Sequence, residues 1–210
     1  MAILLNECNQ ICLQVEIERV RRVDKKHTHD QILKEVYPYV KDKIVLDVGC
    51  VEHDFDKRNK ERIWVHDFLR EYCQEVVGID YLEKDVQKLQ HLGYNVFCMN
   101  AENFCLKRKF DVVFAGELIE HLSNPGLFLD CCKRHLKPEG RLILTTPNAF
   151  CINRAFGILY SRSNDPPVNL EHTCWYSPQT LTSLLNRYGF EVHKPIRPVD
   201  FLQHHQLCKL

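Results

Sequence analysis

The sequence predicts an α/β protein built on a doubly wound, mostly parallel sheet flanked by helices, with a C-terminal strand that is incomplete or modified. Three observations predict it. Short, β-branched apolar runs alternate with helical patterns from residue 30 to residue 195. The runs are nearly continuous in apolar residues, as strands covered on both faces are. An acid followed by a glycine closes the first run, and open α/β sheets bind ligands at the carboxyl ends of their strands.

The elements follow in order. Residues 1–29 form an N-terminal extension, in which VEIERVRRV (15–23) suits strand or helix and the polar KKHTHD closes the segment. DQILKEVYPYV (30–40) reads as a helix capped by Asp30, with Pro38 near its end. The strands are IVLDVG (44–49), EVVGID (75–80), NVFCM (95–99), FDVVFAG (110–116) and RLILTTP (141–147). Between them lie helical patterns at 63–73, 83–92 and 125–136, the second stopped by Gly93 and the third capped by Asn124. A further helix at 177–188 has a Ser177 cap, Pro178 in its first turn and a Gly189 stop. FEVHK (190–194) is a sixth strand, and 196–210 is a tail whose His204 and His205 are exposed.

The chain has 210 residues and 24.8 kDa, which suits one domain with a sizeable core. Lys+Arg and Asp+Glu are both 28, so the formal charge is zero. That argues against a bulk electrostatic grip on nucleic acid or an anionic membrane, and favours a small or neutral partner. Nothing in the sequence specifies an oligomeric state. The 11 cysteines include no CxxC pair and are odd in number, so free thiols in a reducing compartment are expected. Cys73, Cys98, Cys105, Cys131 and Cys132 read as small core residues. The N-terminus lacks a basic start and carries Glu7, a poor signal peptide, and no apolar stretch reaches the roughly 20 residues that span a bilayer. The expected location is cytoplasmic.

Three strand ends carry candidate ligand-binding residues. VLDVGCVEHD (45–54) places Asp47, Gly49 and Cys50 after the first strand. It is neither GxGxxG nor GxxxxGK[ST], which argues against NAD or ATP. Asp80 ends the second strand, where a carboxylate can accept both ribose hydroxyls of a nucleoside. Asn100, Ala101 and Glu102 follow the third, beside an adenine position in nucleotide-binding sheets.

Together these segments resemble the class I S-adenosylmethionine-dependent methyltransferases, with their Rossmann-like fold. The likeness is nearest to the branch of ubiquinone-biosynthesis O-methyltransferases. LDVGC resembles the first motif, VVGID the ribose-binding acid and NAENF the adenine-side turn; FDVVFAGELIEHLSNPGLFL and RLILTTPN resemble the fourth and fifth strand motifs. The resemblance spans residues 30–195. It implies that Asp47, Gly49 and Cys50 line the methionine part of S-adenosylmethionine and Asp80 binds the ribose. It further implies that Ala101 and Glu102 meet the adenine edge, while Tyr81 covers the ring. The first loop departs from the family, with Val51 and His53 where glycines are usual, which brings Glu52, His53 or His66 toward the cofactor.

Glu117, Glu120 and His121 form ExxEH after the fourth strand. Spacings of three and four on a helical turn put such groups on one face. Two carboxylates and an imidazole make a set for Mg²⁺, Mn²⁺ or Zn²⁺, with His172 as a fourth ligand. In sequence the set resembles that of metal-assisted O-methyltransferases, including RNA 2′-O-methyltransferases. The same residues also admit a metal-free reading, in which His121 or His172 acts as a general base and Glu117 lines the pocket. Residues 148–176 read as a substrate-covering helix (149–160) and a lid loop, rich in aromatics such as Phe150, Phe156, Tyr160, Trp175 and Tyr176. Arg154 and Arg162 within it suit an anionic acceptor. The expected function is methyl transfer to oxygen of a small-molecule or glycan-like acceptor. The rival readings are a cofactor- or partner-binding protein without turnover and an RNA 2′-O-methyltransferase.

Overall fold

A computed structural model describes residues 2–4, 11–13, 25–51, 64–148 and 169–192. Its main sheet has six strands in the order β1-β7-β6-β3-β4-β5. They are β1 (Ala2–Leu4), β3 (Ile44–Val48), β4 (Glu75–Asp80), β5 (Val96–Cys98), β6 (Phe110–Gly116) and β7 (Leu136–Thr145). Every pairing is parallel except that of β1 with β7. The helices are α1 (Lys25–Val40), α2 (Val65–Tyr72), α3 (Glu83–His91), α4 (Pro125–His135) and α5 (Pro178–Arg187). A separate pair joins β2 (Ile11–Leu13) and β8 (Phe190–Val192) in parallel.

The burial pattern explains the continuous apolar runs. Val45, Val76, Val112, Phe114 and Ile143 point to one face, where they meet Val36 and Val40 of α1 and Leu69 of α2. Their neighbours Leu46, Val77, Val113, Leu142 and Leu144 point to the other and meet Phe128 and Leu129 of α4 and Leu181 and Leu185 of α5. With successive side chains on opposite faces, a strand covered on both sides must be apolar at nearly every position.

Several expectations are corrected. Helix α1 starts five residues before Asp30, because KKHTHD contains no glycine or proline to stop it, so Asp30 lies inside the helix. The Asn124 side chain makes no cap hydrogen bond and binds Glu102 instead, whereas Ser177 caps α5 as expected in a reciprocal pair with Thr180. The antiparallel strand beside β7 comes from the N-terminal extension, Ala2 lying opposite Thr145. It pairs the edge groups that β7 would otherwise expose. The tail 196–210, where a further C-terminal strand would fall, lies outside the described residues. So do 149–168, with the proposed covering helix, lid loop, Phe150, Arg154, Phe156, Tyr160 and Arg162, as well as Glu52, His53, His204 and His205. Cys98 and Cys105 are exposed, since they lie at the edge strand and in a loop, while Cys131 and Cys132 are buried core residues. Among the described residues no helix is long and apolar enough to cross a membrane.

One glycine in the sheet has a packing role. A Cβ on Gly78 would lie 2.7 Å from Cys50 Sγ, 2.7 Å from Val96 Cγ1 and 2.8 Å from His66 Cε1. Gly78→Ala is therefore expected to destabilise the protein by about 1–3 kcal/mol, checked by urea unfolding.

Candidate active site at the strand ends

The strand order sets where a ligand can sit. From β3 the chain runs outward through β4 to β5, then returns to the far side of β3 as β6 and continues to β7. The crevice at this reversal opens at the carboxyl ends of β3 and β6. Asp47 and Gly49 stand at one lip, Glu117 at the other, and Asp80 at the end of the adjacent β4.

Gly49 has φ +78°, a backbone state that favours glycine. Its N–H and that of Cys50 both donate to the Ile79 carbonyl, at 2.8 and 3.2 Å, which folds the loop back over β4. Cys50 is buried, and burial followed by the charges of Asp47 and Asp80 pushes its thiol well up, so it is inert packing in the loop. Asp80 is 5% exposed. Its Oδ2 accepts from Val51 N–H and its Oδ1 from Leu82 N–H, each at 3.0 Å. Burial raises its carboxyl above the usual range despite those donors. Each oxygen keeps a lone pair for another donor, so the carboxylate can still receive a pair of hydroxyls.

Asp47 is buried as well. Its Oδ2 accepts from His66 Nδ1 at 2.8 Å, the imidazole reaching in from α2. Of the first-loop candidates, His66 is therefore engaged with Asp47 itself.

The adenine-side turn differs in detail from the expectation. Asn100 Oδ1 accepts from the Glu102 N–H at 2.8 Å, a local turn that keeps Ala101 packed against the main core. The Glu102 carboxylate does not stand free: Asn124 donates to it from both its backbone N–H and its Nδ2, at 2.8 and 3.3 Å. The turn is thereby tied to the start of α4. Farther along, the Leu106 N–H donates to buried His135 Nε2 at 3.0 Å, anchoring the same loop. Tyr81 is 71% exposed, its ring projecting into solvent beside Asp80.

The ExxEH group is not laid out on one helical turn. Glu117 is exposed with φ +50°, and its N–H is held by the Thr145 carbonyl and hydroxyl at 2.9 and 3.0 Å. Left-handed backbone is costly for a residue with a Cβ, and such strain clusters at functional sites. Only Glu120 and His121 share the short 3₁₀ turn Ile119–His121. His172 joins them from a distant segment, its ring edge-to-face with that of His121 at 4.6 Å. Ligand atoms of Glu120, His121 and His172 all lie within 4.8 Å of one another, and Glu117 is not in that group.

Glu120 is the buried member. Its Oε2 accepts from Thr146 Oγ1 at 2.8 Å, while Oε1 is buried with no hydrogen-bond partner among the described residues. Burial, then the charge of Glu117, pushes its carboxyl up to about 7. Thr173 latches the His172 segment in place: its N–H and hydroxyl donate to the Glu120 carbonyl, and the hydroxyl also reaches the Leu122 carbonyl at 2.6 Å. The parallel bridge between Asn148 and Tyr176 ties the segment to the end of β7. Thr146, Thr173 and His135 escape sequence reasoning, because each acts on a partner 26 to 53 residues away.

The family described as methyltransferase domain matches residues 21–194. Mitochondrial ubiquinone biosynthesis O-methyltransferase of Rattus norvegicus is 30% identical over 131 residues, covering 56% of this chain and 38% of that protein. Ubiquinone biosynthesis O-methyltransferase of Nitrobacter winogradskyi is 31% identical over 91 residues, covering 40% and 35%. The chain thus spans just over a third of the length of these curated relatives. Among solved structures, a SAM-dependent methyltransferase of Thermotoga maritima superposes with a TM-score of 0.57 at 19% identity, covering 78% of this chain and 71% of that one. A SAM-dependent methyltransferase of Aquifex aeolicus gives 0.51 at 22%, covering 79% and 83%. At these identities the two structures speak for the fold alone.

Proposed function

The chain belongs to the methyltransferase-domain family, and from that premise we propose that it transfers a methyl group from S-adenosylmethionine to an oxygen of a small-molecule acceptor. The observation that carries this reading is the buried Asp80 carboxylate, held at a strand tip beside the left-handed Gly49 loop with acceptor capacity to spare. Oxygen as the target rests on the names of the relatives, which are O-methyltransferases of ubiquinone biosynthesis.

When bound, S-adenosylmethionine supplies an electrophilic methyl on a sulfonium. Asp80 would accept the ribose hydroxyls, and Gly49 would let the backbone approach the amino-acid end, next to Asp47. The turn at Asn100, Ala101 and Glu102 would border the base, with Tyr81 free to cover its face. Most of the rate would come from holding the acceptor oxygen in line with the methyl.

Glu120, His121 and His172 fit a divalent cation. The donor set is one carboxylate and two imidazoles, and the buried Glu120 Oε1, unpartnered among the described residues, is a ligand atom in want of a donor or a cation. Bound there, a divalent cation would lower the pKa of an acceptor hydroxyl. Thr146 and Thr173 would hold Glu120 and His172 in place for it.

Methyl transfer to a panel of phenolic, sugar and RNA hydroxyls, followed with labelled S-adenosylmethionine, tests the reading. On full chelation, transfer is expected to fall by about tenfold or more and to return with Mg²⁺, Mn²⁺ or Zn²⁺. Unchanged transfer in chelator rejects the cation and leaves His121 or His172 as the base that takes the hydroxyl proton. Cofactor affinity with no transfer to any acceptor points to a binding protein.

A further inference from the structure

The first loop of this chain lacks two glycines usual at Val51 and His53, yet Gly49, Cys50 and Val51 are held in a defined path. The start of α2 supplies the hold. Trp64, 1% exposed, donates from Nε1 to the Cys50 carbonyl at 2.9 Å. Two residues on, His66 donates from Nδ1 to Asp47 at 2.8 Å. The two rings pack together with centroids 5.2 Å apart, and Tyr94 sits edge-on to Trp64 at 5.0 Å. Tyr94 is in turn fixed by its hydroxyl bond to Asp67 of α2 at 2.8 Å. Gly78 makes the room: without a side chain it lets the His66 imidazole lie against β4.

A histidine is a poor choice here on stability grounds alone. Among the described residues His66 Nε2 is buried with no hydrogen-bond partner, a cost that an aliphatic side chain of similar size would avoid. What an aliphatic residue cannot do is hold the Asp47 carboxylate.

We propose that Trp64 and His66 are positioning residues for the cofactor. Trp64 sets the Cys50 carbonyl and His66 sets the Asp47 carboxylate, so that the start of α2 fixes the first loop from both sides. The inference rests on the reading of this crevice as the S-adenosylmethionine site.

Calorimetric titration of S-adenosylmethionine and S-adenosylhomocysteine into the full chain tests it. His66→Leu is expected to weaken both about tenfold or more, the loss of one hydrogen bond to a charged group. His66→Asn, whose amide can occupy the Nδ1 position, is expected to recover most of that affinity. In turnover the loss should appear in the KM for the cofactor, with kcat and the acceptor KM unchanged once the cofactor saturates. Wild-type affinity in a folded His66→Leu protein overturns the role of His66. Should that variant fail to fold, Trp64→Phe keeps an aromatic ring in the packing and removes the bond to Cys50 together with part of the buried ring volume. It is expected to weaken binding severalfold, and unchanged affinity there overturns the proposal. If the wild-type chain itself binds no cofactor, the functional reading falls and this inference with it. If the wild type binds and the variants bind equally well, only the positioning role is lost.

Discussion

Asp80→Ala is expected to abolish measurable binding of S-adenosylmethionine, with an affinity loss of about 100-fold or more, because two effects combine. The first is loss of the acceptor for the ribose hydroxyls, each a hydrogen bond to a charged group. The second is release of the loop, since Asp80 also holds Val51 N–H and Leu82 N–H at 3.0 Å each. The fold itself should survive, because the core of β4 is built from Val76, Val77 and Ile79 rather than from its last residue. Asp80→Asn removes the charge while keeping the size of the side chain. Its one carbonyl can serve a single N–H, and its amide turns a donor toward groups that also donate, so it too should bind poorly while melting close to the wild type. Calorimetry showing unchanged affinity in Asp80→Ala would count against the whole functional assignment.

Glu120→Gln is expected to change the pH dependence of stability. The carboxyl titrates near 7 in the folded chain against 4.5 for an ordinary glutamate, because burial and the nearby Glu117 disfavour its charge. Between those values the folded chain keeps a proton that the unfolded chain has released. The contribution of this group is therefore greatest at and below pH 4.5 and is lost as pH rises through 7, by up to about 3 kcal/mol. Glutamine keeps an acceptor for Thr146 and carries no charge, so the variant should match the wild type near pH 4.5 and exceed it at pH 8. Urea unfolding across that range reads the difference, and parallel curves for the two proteins would contradict it. The same variant should bind Mn²⁺ or Zn²⁺ at least about tenfold more weakly, since metal binding at Glu120 requires the ionised carboxylate that glutamine cannot provide.

Much of this protein is written locally. The strands 75–80 and 110–116 have the bounds expected from their apolar runs, and the Ser177 cap and the Gly93 and Gly189 stops act where they were expected. Asp47, Asp80 and Glu117 fall at strand ends because a run of apolar residues closes there and a parallel sheet aligns those closures on one edge. A window of five to ten residues carries that information through its periodicity, so sequence alone determined the layers, the strand-end placement of the candidate site and the likeness to a methyltransferase.

Tertiary structure decided which of those residues are free and which are spoken for. His66 meets Asp47 across 19 positions, and Asn124 takes the Glu102 carboxylate across 22. Thr173 carries His172 to His121 from more than 50 positions away. Such pairings depend on sheet register and on how helices seat against it, and neither leaves a periodic trace in the chain. The spacing of ExxEH suggested one helical face, but Glu117 has left-handed backbone outside the 3₁₀ turn, and the ligand atoms that converge are those of Glu120, His121 and His172. The edge of β7 was open to any extended segment, and the first few residues of the chain fill it. Local pattern thus specified the elements and the edge on which chemistry can occur. The partners that tune each carboxylate and imidazole were set by contacts between segments far apart in sequence, because burial and hydrogen bonding act through space.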